Sequence, residues 1–332
     1  MAPVNEGRRA RRRRVATTAA LLAAVTALSL TAGCDSPDGG RDDGRAPDQE
    51  QRRSPEQPPP ATGPVLAVKI DNVRQARPQT GIDAADIVYV EPVEGGLSRL
   101  MAVFATELPE AVGPVRSARE SDLELLRQFE EPKLAFSGAQ RKLLPLIDRA
   151  PVDAQPPGET SGAYYRGDGR PAPHNLYLRP DRLLPSAPGA DALTTGFRYG
   201  AAPAGGTADT SETVRYPAAR FTFTWSGSRE RWLVSQDGTP TVTTDGERLA
   251  PATVVVQYVN IRTSEFHDSL GNHTPYTETV GTGKAKVLRD GRAWEADWKR
   301  AEAGDGTEFT APDGSPLNFA EGQVWVVLVK AP

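Results

Sequence analysis

The sequence predicts an α+β body in two parts: a mixed-sheet N-terminal domain of α/β character with helices, followed by a mostly antiparallel β domain. Three observations carry this expectation. Up to about residue 190, short apolar runs at 65–70 and 87–90 are interleaved with segments of helical spacing, such as 121–129. Beyond residue 213, Phe221-Thr-Phe-Thr-Trp225 alternates strictly, as a half-buried strand does. The second part is also punctuated by Asp237-Gly238, Asp245-Gly246, Asp290-Gly291 and Asp313-Gly314, the dipeptides that favour tight hairpins.

The chain opens on a leader-like segment. Residues 8–14 are nearly all arginine, 15–30 are apolar and uncharged, and small residues lead to Cys34, the only cysteine. A basic region, a short apolar region and a small-residue cut describe an export signal. The apolar run is short for a spanning helix, which needs about 20 residues. Thr31-Ala-Gly-Cys34 resembles a bacterial lipobox, in which the cysteine is lipidated and becomes the mature N-terminus. We therefore expect a lipoprotein-type signal peptide at 1–33 and lipidation at Cys34. The other reading is an ordinary signal peptide followed by an unrelated cysteine. Residues 35–63 contain no Val, Leu, Ile or aromatic residue, so they cannot bury enough surface to offset their ordering entropy. A disordered tether is expected at 34–63.

The remaining length can bury one large core or two modest ones. We expect an α/β domain at 64–190, a linker at 191–213 and a β-rich domain at 214–332. In the first, residues 65–72 read as a buried strand ending in polar groups, and 87–90 and 97–105 as two more, joined through Gly95-Gly96. Ser117 or Ser121 caps a helix with Leu123, Leu126 and Phe129 on its apolar face. Residues 133–136 read as a strand, 139–147 as a helix with Leu143, Leu144 and Ile147 inward, and 181–184 as a short helix opened by Pro180. In the second, strands are expected at 221–225, 231–235, 253–261, 277–288, 292–299 and 324–329.

Candidate chemistry gathers around residues 91–119. Arg77, Arg99, Arg116, Arg119 and Arg166 each lie at a strand end, a Pro/Gly loop or a helix start, and an arginine fork pairs with carboxylate or phosphate. A helix start near Ser117 would add its N–H groups. One reading has these arginines converge with His174 and Asn175 on an anion, with Glu91 and Glu94 as orienting acids. The other has them pair internally with Asp86, Glu91 and Glu94. His174 sits between stiffening prolines in Ala172-Pro-His-Asn175, and either holds structure or acts as acid or base with Glu91 or Glu94. Glu265, His267, Asp268 and His273 do not match a zinc spacing and read as a solvated loop. No Gly-x-Ser-x-Gly, Walker, dinucleotide or HExxH pattern is present. No cofactor and no metal site is expected. With 39 basic against 43 acidic residues, there is no nucleic-acid footprint. The expected partners are a lipid bilayer, through Cys34, and an anionic envelope ligand.

Several motifs then converge on one family. Lys69-Ile-Asp-Asn72, Ala76-Arg-Pro-Gln-Thr-Gly81, Ala85-Asp-Ile-Val-Tyr89, Glu94-Gly-Gly96 with Arg99, Gly113-Pro-Val-Arg-Ser-Ala-Arg119 and Ala172-Pro-His-Asn-Leu176 resemble the YerB-like lipoproteins, a bacterial domain-of-unknown-function family. Val254-Val-Val-Gln-Tyr-Val-Asn260 and Gly281-Thr-Gly-Lys-Ala285 resemble that family's C-terminal domain. The resemblance implies an extracytoplasmic lipoprotein on the outer face of the cell membrane with a two-part body, and implies no established activity. Ser137-Gly138-Ala139 departs from the histidine or further glycine of some relatives.

Overall fold

A computed structural model describes residues 63–268 and 270–332. The expected signal peptide, Cys34 and nearly all of the expected tether lie outside the described residues. In the first half the strands are β1 (Leu66–Asp71), β2 (Ile87–Pro92), β3 (Ser98–Phe104), β4 (Lys133–Ala135), β5 (Asp153–Gln155), β6 (Tyr164–Arg166) and β7 (Leu176–Leu178). Helix α1 (Glu120–Leu126) precedes β4 and helix α2 (Leu144–Ile147) follows it. The second half contributes β8 (Thr207–Ala208), β9 (Ser211–Tyr216), β10 (Ala219–Ser226), β11 (Arg231–Gln236) and β12 (Thr239–Pro240). It continues with β13 (Thr253–His267), β14 (His273–Glu278), β15 (Gly281–Arg289), β16 (Arg292–Arg300), β17 (Glu308–Thr310) and β18 (Val324–Lys330).

A twelve-stranded mixed sheet runs through both halves in the order β17-β16-β15-β13-β18-β2-β3-β1-β4-β5, with β14 and β8 attached at its sides. The last strand is the junction: β18 runs parallel to both β13 and β2. Its residues 324–328 are all buried, which is what a strand needs when both faces and both edges are covered. β1 is buried along its whole length for the same reason.

Each face of the sheet has its own core. On one, Leu66, Val68, Ile70, Val88 and Trp325 pack against Phe221, Phe223, Trp232 and Val234 of a second, four-stranded sheet, β12-β11-β10-β9. The alternation of β10 is explained there: Phe221 and Phe223 point inward, and Thr222 and Thr224 do not. On the other face, Val65, Met101, Val103 and Tyr89 pack against Leu125, Leu126 and Phe129 around α1, and against Leu143 and Ile147 around α2.

The body is richer in strand than the α/β expectation for its first part. The helix expected over 139–147 shrinks to the four residues of α2, because Pro145 fits only the first turn. The helix at 181–184 is a 3-10 turn, Pro180–Arg182. Neither Ser117 nor Ser121 caps α1: Arg119 is the N-cap, and its N–H donates to the Asp122 carboxylate at 2.7 Å. The strand expected at 277–288 is two strands, β14 and β15, and β13 is longer than expected because it forms a hairpin with β14. Asp237-Gly238 and Asp290-Gly291 form the expected hairpins, with φ of 52° and 85° at the first pair and 51° and 69° at the second, the left-handed values a type I′ turn requires.

Candidate functional site

Three neighbouring strands end together and supply the floor of a cleft. Asp71 ends β1, Arg99 is the second residue of β3, and Glu91 lies near the end of β2; Arg99 is the register partner of both acids. Lys69 is two residues from Asp71 and therefore shares its face. Residues 112–118 cross this end of the sheet. Asp71 N–H donates to Pro114 O at 2.8 Å, Arg116 N–H to Lys69 O at 2.7 Å, and Ser137 N–H to Arg116 O at 3.0 Å. That wedge of backbone bonds is why Arg116 and Arg119 project over the strand ends.

The cleft holds about 630 Å³, within the range of small-ligand sites. Arg99, Arg116 and Arg119 all line it, with Asp71 and Glu94 beside them. Val73, Val93, Leu97, Leu143 and Phe266 form an apolar wall, and Glu120, Gln140, His267 and Asp268 stand among the remaining lining groups.

The three arginines differ in how they are held. Arg119 grips Glu94 with two bonds, Nε to Oε1 at 2.6 Å and Nη2 to Oε2 at 2.8 Å, and Nη1 donates to Ala118 O at 2.9 Å. Burial alone would raise the Glu94 carboxyl. The Arg119 bonds and charge, with the Thr274 hydroxyl, outweigh burial and hold it below the usual carboxylate range. Arg116 Nε lies 3.3 Å from Asp71 Oδ2, and a quarter of its side chain remains exposed. Arg99 Nη1 donates to Ser117 O at 3.1 Å, and no carboxylate among the described residues lies within ion-pair distance of it. Burial, and then the charge of Arg119, pull the Arg99 guanidinium down to about 10, with Glu94 opposing.

Beneath the floor is a buried charge cluster. Lys69 is fully buried and donates to both Glu91 and Asp122, the latter at 2.7 Å. Burial raises the Glu91 carboxyl to about 8, Lys69 opposes that, and Asp122 reinforces it. One cation cannot balance two buried carboxylates, so one acid keeps its proton near neutral pH.

The other sequence candidates are placed elsewhere. His174 Nδ1 meets Asp71 Oδ2 at 2.8 Å, so it stands behind Asp71 and does not line the cleft. Arg77 bonds Asn72 O through Nε and Nη2 and reaches Asp237 at 2.7 Å. Arg166 donates to Asn175 Oδ1 at 2.7 Å, and Asn175 Nδ2 to Gly167 O at 2.9 Å, which clamps the loop between β6 and β7. Asp86 accepts the N–H groups of Ala105 and Thr106. Glu91 faces Lys69, and Glu94 faces Arg119, so neither is a partner of His174. The start of α1 is a poor anion site: the helix has seven residues, and Glu120 and Asp122 stand in its first turn.

Asp71, Lys69 and Asp122 were absent from the sequence candidates. A signal for the first two was available: two charged residues spaced by two in an otherwise apolar strand place both on one face. Glu120, Gln140 and Phe266 join the site only through tertiary contacts.

The chain belongs to the family described as "Protein of unknown function (DUF3048)": residues 53–193 match its N-terminal domain and residues 212–326 its C-terminal domain. It is 29% identical over 284 residues to YerB of Bacillus subtilis (strain 168), named as a candidate lipoprotein, with 80% of each chain covered. The crystal structure of YerB from Bacillus subtilis matches with a TM-score of 0.65 at 24% identity, over 80% of this chain and 90% of that one; this likeness is one of fold. Among the described residues, no helix is long and apolar enough to cross a membrane.

Proposed function

We propose that this chain is a lipoprotein held to the outer face of the bacterial cell membrane through Cys34, and that its cleft binds an anionic envelope ligand, a cell-wall fragment or a phosphorylated glycan. The observation that carries the ligand reading is Arg99. Its half-buried side chain lines the cleft with Arg116 and Arg119, and has a carbonyl and, among the described residues, no carboxylate as partner. A half-buried cation whose nearby carboxylates are already engaged by other arginines is left short of partners, and a bound carboxylate or phosphate supplies them through forked hydrogen bonds. The lipoprotein reading rests on the leader, on Cys34 and on the naming of the YerB relative.

Thermal unfolding of the detergent-solubilised full chain tests the ligand reading. Carboxylate-bearing or phosphate-bearing envelope fragments at a hundredfold excess over Kd should add about 2.7 kcal/mol, a shift of a few degrees. Arg99→Gln should remove that shift and keep the wild-type circular dichroism. A shift unchanged in the variant overturns the reading. For the anchor, Cys34→Ala should move the protein from the membrane fraction to the medium, and retention at the membrane overturns it.

A second reading is an envelope hydrolase or transferase. It is favoured by one contact, His174 Nδ1 on the buried Asp71, which aims an imidazole as a general base is aimed. Asp71 takes the partner role in place of Glu91 or Glu94. Turnover of an envelope fragment that disappears in His174→Gln while binding persists would select it.

A further inference from the structure

The charges of the cleft do not add up to a simple anion site. Three arginines line it against four carboxylates, Asp71, Glu94, Glu120 and Asp268. Two of these acids are engaged by two of the arginines, Asp71 by Arg116 and Glu94 by Arg119. What remains is a separated pattern: one half-buried cation, Arg99, on the floor, and two acids, Glu120 and Asp268, with no cationic partner among the described residues. Among the described residues, Glu120 accepts the Ser264 hydroxyl alone. Asp268 is partly exposed and accepts the N–H groups of Leu270 at 2.8 Å and Asn272 at 2.9 Å, and the Asn272 amide at 3.0 Å. Those bonds, led by the Asn272 side chain, keep its carboxylate ionised.

We propose that the cleft takes a short peptide in zwitterionic form: its free carboxylate on Arg99 and Arg116, its ammonium toward Glu120 and Asp268, and small side chains against Val93, Leu97 and Phe266. This deepens the anion reading and rests on it. A ligand with both signs meets every unpaired charge of the lining, whereas a polyanion would be repelled by the two free acids. The volume is ample for two or three residues.

Isothermal titration of the full chain in detergent distinguishes the possibilities, with tri-alanine, N-acetyl-tri-alanine, tri-alanine amide and inorganic phosphate as probes. Tri-alanine should bind, and the amide and the acetylated peptide should each bind at least tenfold more weakly. Glu120→Gln combined with Asp268→Asn should erase the preference for the free amine and keep the preference for the free carboxylate. If the acetylated peptide binds as well as the free one, or if inorganic phosphate binds and no peptide does, the zwitterion proposal is overturned and the anion site stands. If none of the four probes binds, both fall.

Discussion

One carboxylate oxygen of Asp71 meets His174 Nδ1 at 2.8 Å and lies 3.3 Å from Arg116 Nε. The acid is almost wholly buried, so its charge acts through a poorly screened medium on both neighbours. Asp71 thus sets how much of the Arg116 charge is available to a ligand. Asp71→Asn keeps the acceptor for His174 and removes that counter-charge. Titration with inorganic phosphate should give several-fold tighter binding in the variant, at a cost of about 1–2 kcal/mol in urea unfolding. Weaker binding by a folded variant would show that Asp71 orients Arg116 and does not compensate it.

The cluster of Lys69, Glu91 and Asp122 predicts a pH dependence of stability. The folded-state value for Glu91 is raised from 4.5 to about 8, so the folded protein holds this proton more tightly than the unfolded chain. The stability Glu91 contributes is fully present below about pH 4.5 and is lost as the pH rises toward 8. Glu91→Gln should flatten the decline in urea midpoint between pH 5 and 8. Glu94 and Asp237 are lowered by Arg119 and Arg77 against the effect of burial. Their contributions are present above the ordinary carboxylate values and are lost as the pH falls, so they fall in a separate, acidic window. A wild-type profile identical to that of Glu91→Gln from pH 5 to 8 would remove the buried proton.

Lys69→Met tests the same cluster from its other side. Removing one member of a buried ion pair costs about 3–5 kcal/mol. The loss should be larger at pH 8 than at pH 5, because at the lower pH Glu91 is protonated and needs no cation. Equal losses at the two pH values would contradict the assignment.

Adjacent glycines give a controlled comparison. Gly95 and Gly96 have φ of 71° and 70°, but a Cβ on Gly95 meets nothing within 4 Å, while one on Gly96 meets Pro217 Cβ at 2.5 Å. Alanine at either position incurs left-handed strain of about 1 kcal/mol, and only at Gly96 does it also drive into the segment joining β9 to β10. Thermal unfolding should show Gly96→Ala less stable than Gly95→Ala by a further 1–3 kcal/mol, roughly the cost of an overpacked contact. Equal losses would mean that Pro217 yields.

The seam at β18 predicts that the two halves do not fold apart. Trp325 of this strand packs on Phe221 and Phe223, and the strand itself hydrogen-bonds β2 of the first half. Residues 191–213 are also fastened: Thr307 N–H donates to Thr195 O at 2.6 Å, and β8 pairs with β16. Calorimetry of the full chain should give one transition for the body, and residues 214–332 expressed alone should lack the near-ultraviolet signal of a packed core. Two transitions, or a folded fragment, would restore independent domains.

Local chemistry was legible in the sequence wherever it acts within a few residues. The buried runs at 65–70, 87–90 and 324–329 became strands because each, Lys69 apart, is apolar on both faces. The Asp-Gly pairs at 237 and 290 became hairpins because their backbone tolerates positive φ. Arg99, Arg116 and Arg119 could be selected because each stands at a chain break or strand end, away from any helix face.

Long-range pairing decided the rest, and a linear pattern does not carry it. Nothing local distinguishes Arg77 and Arg166 from Arg99; they differ only because Asp237 and Asn175 arrive beside them in the fold. The partner of His174 is 103 residues earlier in the chain, at Asp71, and was read as the polar end of a strand. The division at 191–213 followed a real change of composition, yet β18 returns from the far end of the chain to lie between β13 and β2. Strand propensity is set by neighbours along the sequence. Strand order is set by which hydrogen-bonding edges and apolar faces remain uncovered, and only the whole chain determines that.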